Sequence, residues 1–258
     1  MKSVRIENFP ALDYATNEAL NTLCTNIVFA GEEVRRVLIT SCREHEGKSF
    51  ISMGIMHTLA SMGYNVVLVD ADLRRSVIAS TYGAHFTGEA LGLSHYLSRR
   101  ISVEEVLYEA DIPGNYIVPV GHDVVNSMQL LSSWRMKELL DELAQRFDYV
   151  IVDTPPIGAI VDAAVVAKAC DAAVLVVSVG LATKQEVVGA KQQIEKSGCP
   201  MIGAVLNKVE MARGSSKYYH RSMYAAYETQ GYYRRETEDS GVHGNRHKRS
   251  EKHRGGRN

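Results

Sequence analysis

The sequence predicts an α/β protein, doubly wound, with a mainly parallel sheet and helices on both faces. Three observations carry this prediction. The segment from RRVLIT through SCREHEGKS and FISMGIMHTLASMG to NVVLVDAD reads strand, turn, helix, strand, an order that implies parallel strands joined by a right-handed crossover. The further strand candidates are continuous apolar runs flanked by helices, as expected of strands covered on both faces. Finally, 258 residues with 45% hydrophobic content suffice for one large core.

Residues 13–30 place Ala19, Leu20, Leu23, Ile27 and Val28 near one face at helical spacing, which predicts an amphipathic first helix capped by Thr16 or Asn17. RRVLIT predicts a short strand ending at Ser41, and residues 50–63 a helix stopped by Gly63. NVVLVDAD, NYIVPV, DYVIVDTPP, DAAVLVVSV and PMIGAVLNK supply the remaining strands. SSWRMKELLDELAQR, AIVDAAVVAKA and KQEVVGAKQQIEKSG supply helices. After Lys208 the composition turns polar and rich in Gly, Arg and Tyr, so a globular domain is expected at residues 1–210 and a flexible tail at 211–258.

A formal net charge of −1 gives no ground for a nucleic-acid partner or for general membrane binding. The basic run at residues 243–258 is the local exception and reads first as a solvated tail. Cys24, Cys42, Cys170 and Cys199 lie far apart without metal or redox spacing, and the chain opens with no signal-peptide pattern. A reducing, cytoplasmic setting is expected. No apolar run approaches the roughly 20 residues of a membrane span, so membrane attachment would come through a partner.

In CREHEGKS, residues 42–49, the GKS triplet falls between a predicted strand and a predicted helix, the setting a phosphate-binding loop requires. There the loop N–H groups and the helix N-terminus face phosphate oxygens, Lys48 adds a full charge, and the Ser49 hydroxyl can ligate Mg²⁺. Cys42 stands in the place of the first glycine of GxxxxGK[ST], and His45 and Glu46 make the loop bulky and charged. Asp70 and Asp72 end a strand two residues apart, so an extended chain points them the same way, and Asp153 ends another strand. Carboxylates at such strand ends face the ligand crevice, and burying one is costly unless it is paired or serves a metal. Each alone also fits a turn-capping role; the three together with the loop suggest a magnesium-nucleotide site.

EGKS, VVLVDADLRRS, VIVDTPPIG, GAVLNKV and a C-terminal tyrosine cluster, in that order over roughly residues 14–235, resemble the bacterial protein-tyrosine kinases of capsular and exopolysaccharide systems. The resemblance implies a P-loop NTPase fold of the partition-ATPase-like type, with ATP and Mg²⁺ as cofactors. It implies nucleotide binding by Glu46, Gly47, Lys48, Ser49, Phe50 and Asn207, catalysis by Lys48, Asp70, Asp72 and Asp153, and metal association for Ser49, Asp72 and Asp153. Asp70 falls on the carboxylate proposed to accept the tyrosine hydroxyl proton, and a phenol with a pKa of about 10 needs modest help to lose it. Asn207 falls where related ATPases contact the adenine base, with a turn role as its rival. Arg74 and Arg75 either steady phosphates or an acidic tail, or are simply solvated.

The stretch SKYYHRSMYAAYETQGYYRR holds six tyrosines in twenty positions. Under the resemblance, Tyr218, Tyr219, Tyr224, Tyr227, Tyr232 and Tyr233 are autophosphorylation acceptors on a flexible tail, with an unused aromatic extension as the alternative. Each phosphate would add about −1.5 to −2 charges. The implied partners are a membrane-embedded polysaccharide chain-length regulator acting as activator and a cognate tyrosine phosphatase. The chain would then be cytoplasmic, held at the inner face of the membrane through its partner.

Two departures from the family pattern stand out. A Glu followed at three-residue intervals by two arginines, the ring-forming motif, corresponds here to Glu18, Asn21 and Cys24, which puts the ring form of a homo-oligomer in question. Glu44 and His45 replace a Pro-Gly pair before EGK, so weaker ATP binding or slower turnover is expected, and His45 must take up a backbone conformation suited to glycine. The competing functions are a non-kinase ATPase switch of the partition or division-site type and a weakly active kinase-like regulator. Arg43 where such switches carry a lysine, together with the tyrosine cluster, favours the kinase.

Overall fold

The computed structural model describes residues 2–98, 101–122, 124 and 126–209; the tyrosine cluster and the rest of the expected tail lie outside them. The elements run β1 (Ser3–Ile6), α1 (Tyr14–Phe29), β2 (Arg36–Ser41), α2 (Lys48–Ser61), β3 (Val66–Asp70), α3 (Ile78–Tyr82), β4 (Ala84–Phe86) and α4 (Leu93–Ser98). A 3₁₀ turn at Val103–Glu105 leads to β5 (Tyr108–Ala110), β6 (Asn115–Val118), α5 (Ser127–Leu131), α6 (Trp134–Arg146) and β7 (Tyr149–Asp153). The last are α7 (Asp162–Ala167), β8 (Ala172–Ser178), α8 (Lys184–Lys196) and β9 (Met201–Asn207).

These strands form one sheet in the order β4-β1-β5-β6-β3-β7-β2-β8-β9. The run from β6 to β9 is entirely parallel, and its strands β3 and β7 are buried along their whole length. Helices α1 to α3 pack on one face against Val37, Ile39, Leu68 and Ile151, while α4 to α8 pack on the other against Leu38, Val69, Val152 and Leu175. The alternation of these neighbours along single strands is why the runs read as uniformly apolar.

The small strands β1, β4 and β5 were not legible. They extend the sheet on the β6 side, with β4 antiparallel to β1 and β5 antiparallel to β6, so the sheet is mixed at that edge. Three- and four-residue strands carry too little periodicity to separate from loop. The N-cap of α1 also differs from expectation: Asp13, one residue before the helix, accepts from the Thr16 N–H at 2.8 Å. A carboxylate reaching forward three residues displaces the Thr16 or Asn17 reading. Helix α2 starts two residues earlier than expected, which brings Lys48 and Ser49 into its first turn. All four cysteines are buried free thiols, and the Cys24 Sγ faces the Ile55 carbonyl of α2. No helix among the described residues is long and apolar enough to cross a membrane.

Candidate active site

The phosphate loop joins β2 to α2, and its shape is imposed from across the sheet. Glu46 is fully buried, and its carboxylate accepts from the backbone N–H of Arg43 at 2.7 Å and of Ser178, at the end of β8, at 3.1 Å. The Asn207 amide donates to the Glu46 carbonyl at 2.9 Å, and the Lys208 ammonium to the His45 carbonyl at 2.7 Å. His45 has φ 62°, in the left-handed region that glycine tolerates best, as its replacement of glycine requires. Gly47 has φ 89°, and a Cβ there would stand 2.2 Å from the Asn207 Nδ2. Only glycine satisfies both conditions at that point.

Beyond the loop, the ends of β3 and β7 meet. Asp70 and Asp153 are register partners on adjacent parallel strands, and both are buried. Ser49 donates to the Asp153 Oδ2 at 2.6 Å and Ser52 to its Oδ1 at 3.0 Å. Burial pushes the Asp153 carboxyl up to about 6, with Lys48 pulling the other way. Asp70 accepts from the Ser76 hydroxyl and from the Asp72 N–H at 3.2 Å. Burial, and then the charge of Asp153, hold Asp70 well above the usual carboxylate range. Asp72 does not share its face by strand alternation, because β3 stops at Asp70 and the chain turns; Asp72 is half-buried, accepts from the Arg75 N–H at 3.1 Å, and lines the cleft. Burial raises its carboxyl as well, opposed by Lys48 among other contacts.

A cleft of about 530 Å³ opens over these residues, lined by Gly47, Lys48, Ser49 and Phe50 on the loop side and by Asp72, Arg74 and Arg75 opposite. That size suits a small-molecule ligand. Val77, Thr81, Tyr82, Pro156 and Ile160 give it an apolar wall. Burial, and then Asp153, push the Tyr82 phenol up to about 12. The structure therefore brings together Lys48, Ser49, Phe50, Asp72 and Asp153, with Asp70 sealed beside Asp153. Glu46 and Asn207 act on the loop itself: the Glu46 carboxylate points into the protein, and Asn207 does not line the cleft.

Several contributing residues were missed. Ser52 lies one turn past Ser49 on α2, a spacing that could have flagged it; Ser76, Asp162 and Lys208 have no comparable signal. Arg74 is partly exposed but not free: it pairs with buried Asp162 through Nε at 2.8 Å and Nη2 at 3.3 Å. Arg75 pairs with Glu44 at 3.0 Å, which offsets the negative charge that Glu44 brings to the loop.

Among the described residues, no group of three or more His, Cys, Asp or Glu side chains could hold a metal by protein ligands alone. One serine hydroxyl with one or two carboxylates in an open cleft suits Mg²⁺, which keeps waters and shares phosphate oxygens. The glycine-only point at Gly47 and the Lys48 charge at the start of α2 fit a phosphate group.

Residues 37–195 match the model of a family described as an AAA domain. The chain is 41% identical to the tyrosine-protein kinase CpsD of Streptococcus agalactiae over 194 residues, covering 75% of this chain and 84% of that protein. The chain belongs to the bacterial tyrosine-protein kinase family. Among solved structures, the kinase domain of the Escherichia coli tyrosine kinase ETK superposes with a TM-score of 0.71 at 31% identity, covering 80% of this chain and 84% of that one. The Pyrococcus horikoshii septum site-determining protein MinD, solved with Mg-ADP, shares the fold with a TM-score of 0.58 at 21% identity, covering 67% and 69%. A family built on this P-loop fold binds nucleotide, and the loop of this kinase is shaped for it. Cys24 is fully buried in the core, where it faces α2 from α1.

Proposed function

We propose that this chain transfers the terminal phosphoryl group of Mg-ATP to tyrosine hydroxyls, its own C-terminal cluster first, within a system that regulates capsular or exopolysaccharide synthesis. The observation that carries the reading is the convergence of Lys48, Ser49 and Asp72 on one cleft, with the buried pair Asp70 and Asp153 behind it and Asp153 bonded to Ser49. Phosphoryl transfer needs mainly positioning and charge neutralisation, and this cleft offers both.

In this reading the loop N–H groups and Lys48 hold the phosphates. Ser49, Asp72 and Asp153 would hold a magnesium ion, which would supply neutralisation of phosphate charge. The bond from the terminal phosphorus to its bridging oxygen breaks as the bond to the phenolic oxygen forms, and the phenol's proton passes to Asp70. Burial and the charge of Asp153 hold the Asp70 carboxyl above the usual carboxylate range, which suits it to accept a proton, and positive charge gathered near Asp72 and Asp153 would favour its carboxylate form before transfer. Asn207 supports the loop through the Glu46 carbonyl, and base contact by it would require its side chain to reach past the loop from outside the cleft. The acceptors are Tyr218, Tyr219, Tyr224, Tyr227, Tyr232 and Tyr233, on a tail beginning near residue 211.

The chain works in the cytoplasm at the inner face of the membrane, through a membrane-embedded chain-length regulator that activates it, and a tyrosine phosphatase reverses the modification. A homo-oligomer of this chain would lack the two arginines of the family's ring contacts, since Asn21 and Cys24 stand in their places.

The test is incubation of the full chain with Mg-ATP, with and without a cytoplasmic fragment of the candidate activator, followed by mass spectrometry of the C-terminal peptides. Phosphate on residues 218–233 that vanishes in Lys48→Met supports the kinase. Nucleotide binding with no tyrosine phosphate, even with activator, hands the function to an ATPase switch or a kinase-like regulator.

A further inference from the structure

Arg74 and its partners form a brace beside the nucleotide site. Asp162 is buried at the start of α7, just past the loop that follows β7. Its Oδ2 accepts from the Arg74 Nε at 2.8 Å and from the Ser127 hydroxyl of α5 at 2.6 Å, and its Oδ1 accepts from the Arg74 Nη2 at 3.3 Å. Ser127 is itself fully buried. The carboxylate is thus committed on both oxygens, and among the described residues the one cation bonded to it is Arg74.

Arg74 is committed on one edge alone. The bidentate pair uses Nε and Nη2, so Nη1 lies on the far edge, and the side chain, 43% exposed, lines the same cleft as Lys48, Ser49 and Asp72. A bidentate carboxylate fixes the guanidinium plane as well as its position. The ion pair thus holds the arginine at a fixed place on the cleft wall and leaves Nη1 outside the bidentate contact. An arginine meant to meet a planar, charge-spreading group would be held in this way.

We propose that Asp162 and Ser127 are positioning residues that hold Arg74 as a second cation of the cleft, opposite Lys48, against the non-bridging oxygens of the transferring phosphoryl group. The inference rests on the kinase reading and adds a catalytic residue to it. As the bond to the leaving ADP oxygen breaks and the bond to the acceptor oxygen forms, charge spreads over three equatorial oxygens, and a fixed donor aimed there stabilises that arrangement more than the ground state. The brace belongs to this chain alone, so the cation is supplied in cis.

The experiment is single-turnover phosphoryl transfer by the full chain with Mg-ATP and activator fragment, read both as tyrosine phosphate and as phosphate released to water. Nucleotide affinity and thermal unfolding are measured alongside. Arg74→Lys, which keeps the charge and loses the fork, is expected to slow transfer about 100-fold with ATP affinity held within about threefold. Asp162→Asn is expected to slow it about tenfold, and the double variant to be no slower than Arg74→Lys alone, because Asp162 acts through Arg74. Ser127→Ala leaves the ion pair in place and is expected to slow transfer about threefold.

A folded Arg74→Lys that transfers within about threefold of the parent overturns the proposal, as do effects of Asp162→Asn and Arg74→Lys that multiply. Should Arg74→Lys fail to fold, Ser127→Ala decides: an unchanged rate overturns the brace. A parent chain that releases phosphate to water without modifying tyrosine sinks the kinase reading while Arg74 is still scored on hydrolysis. A parent that does neither sinks both.

Discussion

Two loops face each other across the cleft and are held in opposite ways. The phosphate loop, residues 42–47, is pinned from the far strands: Ser178, Asn207 and Lys208 each bond to Glu46 or His45. The loop after β3, residues 71–77, is shaped largely by near neighbours in sequence, Ser76 and the Asp72 N–H on Asp70 and the Arg75 N–H on Asp72, with longer ties from Arg74 to Asp162, from Arg75 to Glu44 and from the Ala71 N–H to the Asp153 carbonyl. The difference teaches where each loop's geometry is encoded. The first depends on β8 and β9 being in register; the second is written in DADLRRS for its turn and in Glu44, Asp153 and Asp162 for its anchors.

The largest expected effect breaks the first loop outright. Gly47→Ala must carry a side chain at φ 89° and displace Asn207 from the Glu46 carbonyl. A loss of about 3 kcal/mol is expected, from roughly 1–2 for the left-handed backbone and about 1 for the bond, checked by urea denaturation together with a nucleotide titration that should show no binding.

The next probes the carboxyl between the loops. Asp153 titrates near 6 in the folded chain, above the ordinary carboxylate value near 4. The folded state therefore binds a proton that the unfolded chain releases between those values, and the stability tied to the neutral form is complete below about pH 4 and lost as pH rises through about 6. In the nucleotide-free protein, Asp153→Asn should remove that loss, gaining up to about 3 kcal/mol at pH 7.5 relative to its effect at pH 4. Denaturation midpoints that shift equally at both pH values contradict it.

A matched pair sharpens the contrast directly. Asn207→Ala should cost about 1–1.5 kcal/mol and speed amide exchange through residues 43–47, while Ser76→Ala should cost about 1 kcal/mol and confine faster exchange to residues 70–76. Exchange spreading across both loops from either change would show that the two are one unit. The smallest effect is His45→Gly, where relief at φ 62° is largely offset by chain entropy. A gain of no more than about 1 kcal/mol is expected by thermal unfolding, with nucleotide affinity improved or unchanged.

Legibility in the sequence follows the same division. The buried strands β2, β3, β7 and β8 were readable because both faces are covered, and GKS was readable because the strand and helix around it were. The strained backbone at His45 was also expected. What could not be read was anything requiring distant residues: the inward turn of Glu46 onto Ser178, the hold of Asn207 on the loop, the pairing of Arg74 with Asp162, and the insertion of residues 3–6 between segments 84–86 and 108–110. The expectation that Asp70 and Asp72 share a face failed for a local reason, since the Asp72 N–H folds back on the Asp70 carboxylate and ends the strand.

The four buried cysteines make the protein its own reporter. Burial pushes the Cys24 thiol up to about 12, Cys42 and Cys199 up to about 11, and Cys170 well above the ordinary range. Sulfhydryl reagents attack the thiolate, so the native chain should label slowly at neutral pH. Cys42 opens the phosphate loop, Cys24 faces α2 from α1, and Cys170 and Cys199 flank β8 before and after α8. Timed alkylation read peptide by peptide would therefore chart which part of the molecule opens first, with no engineered probe.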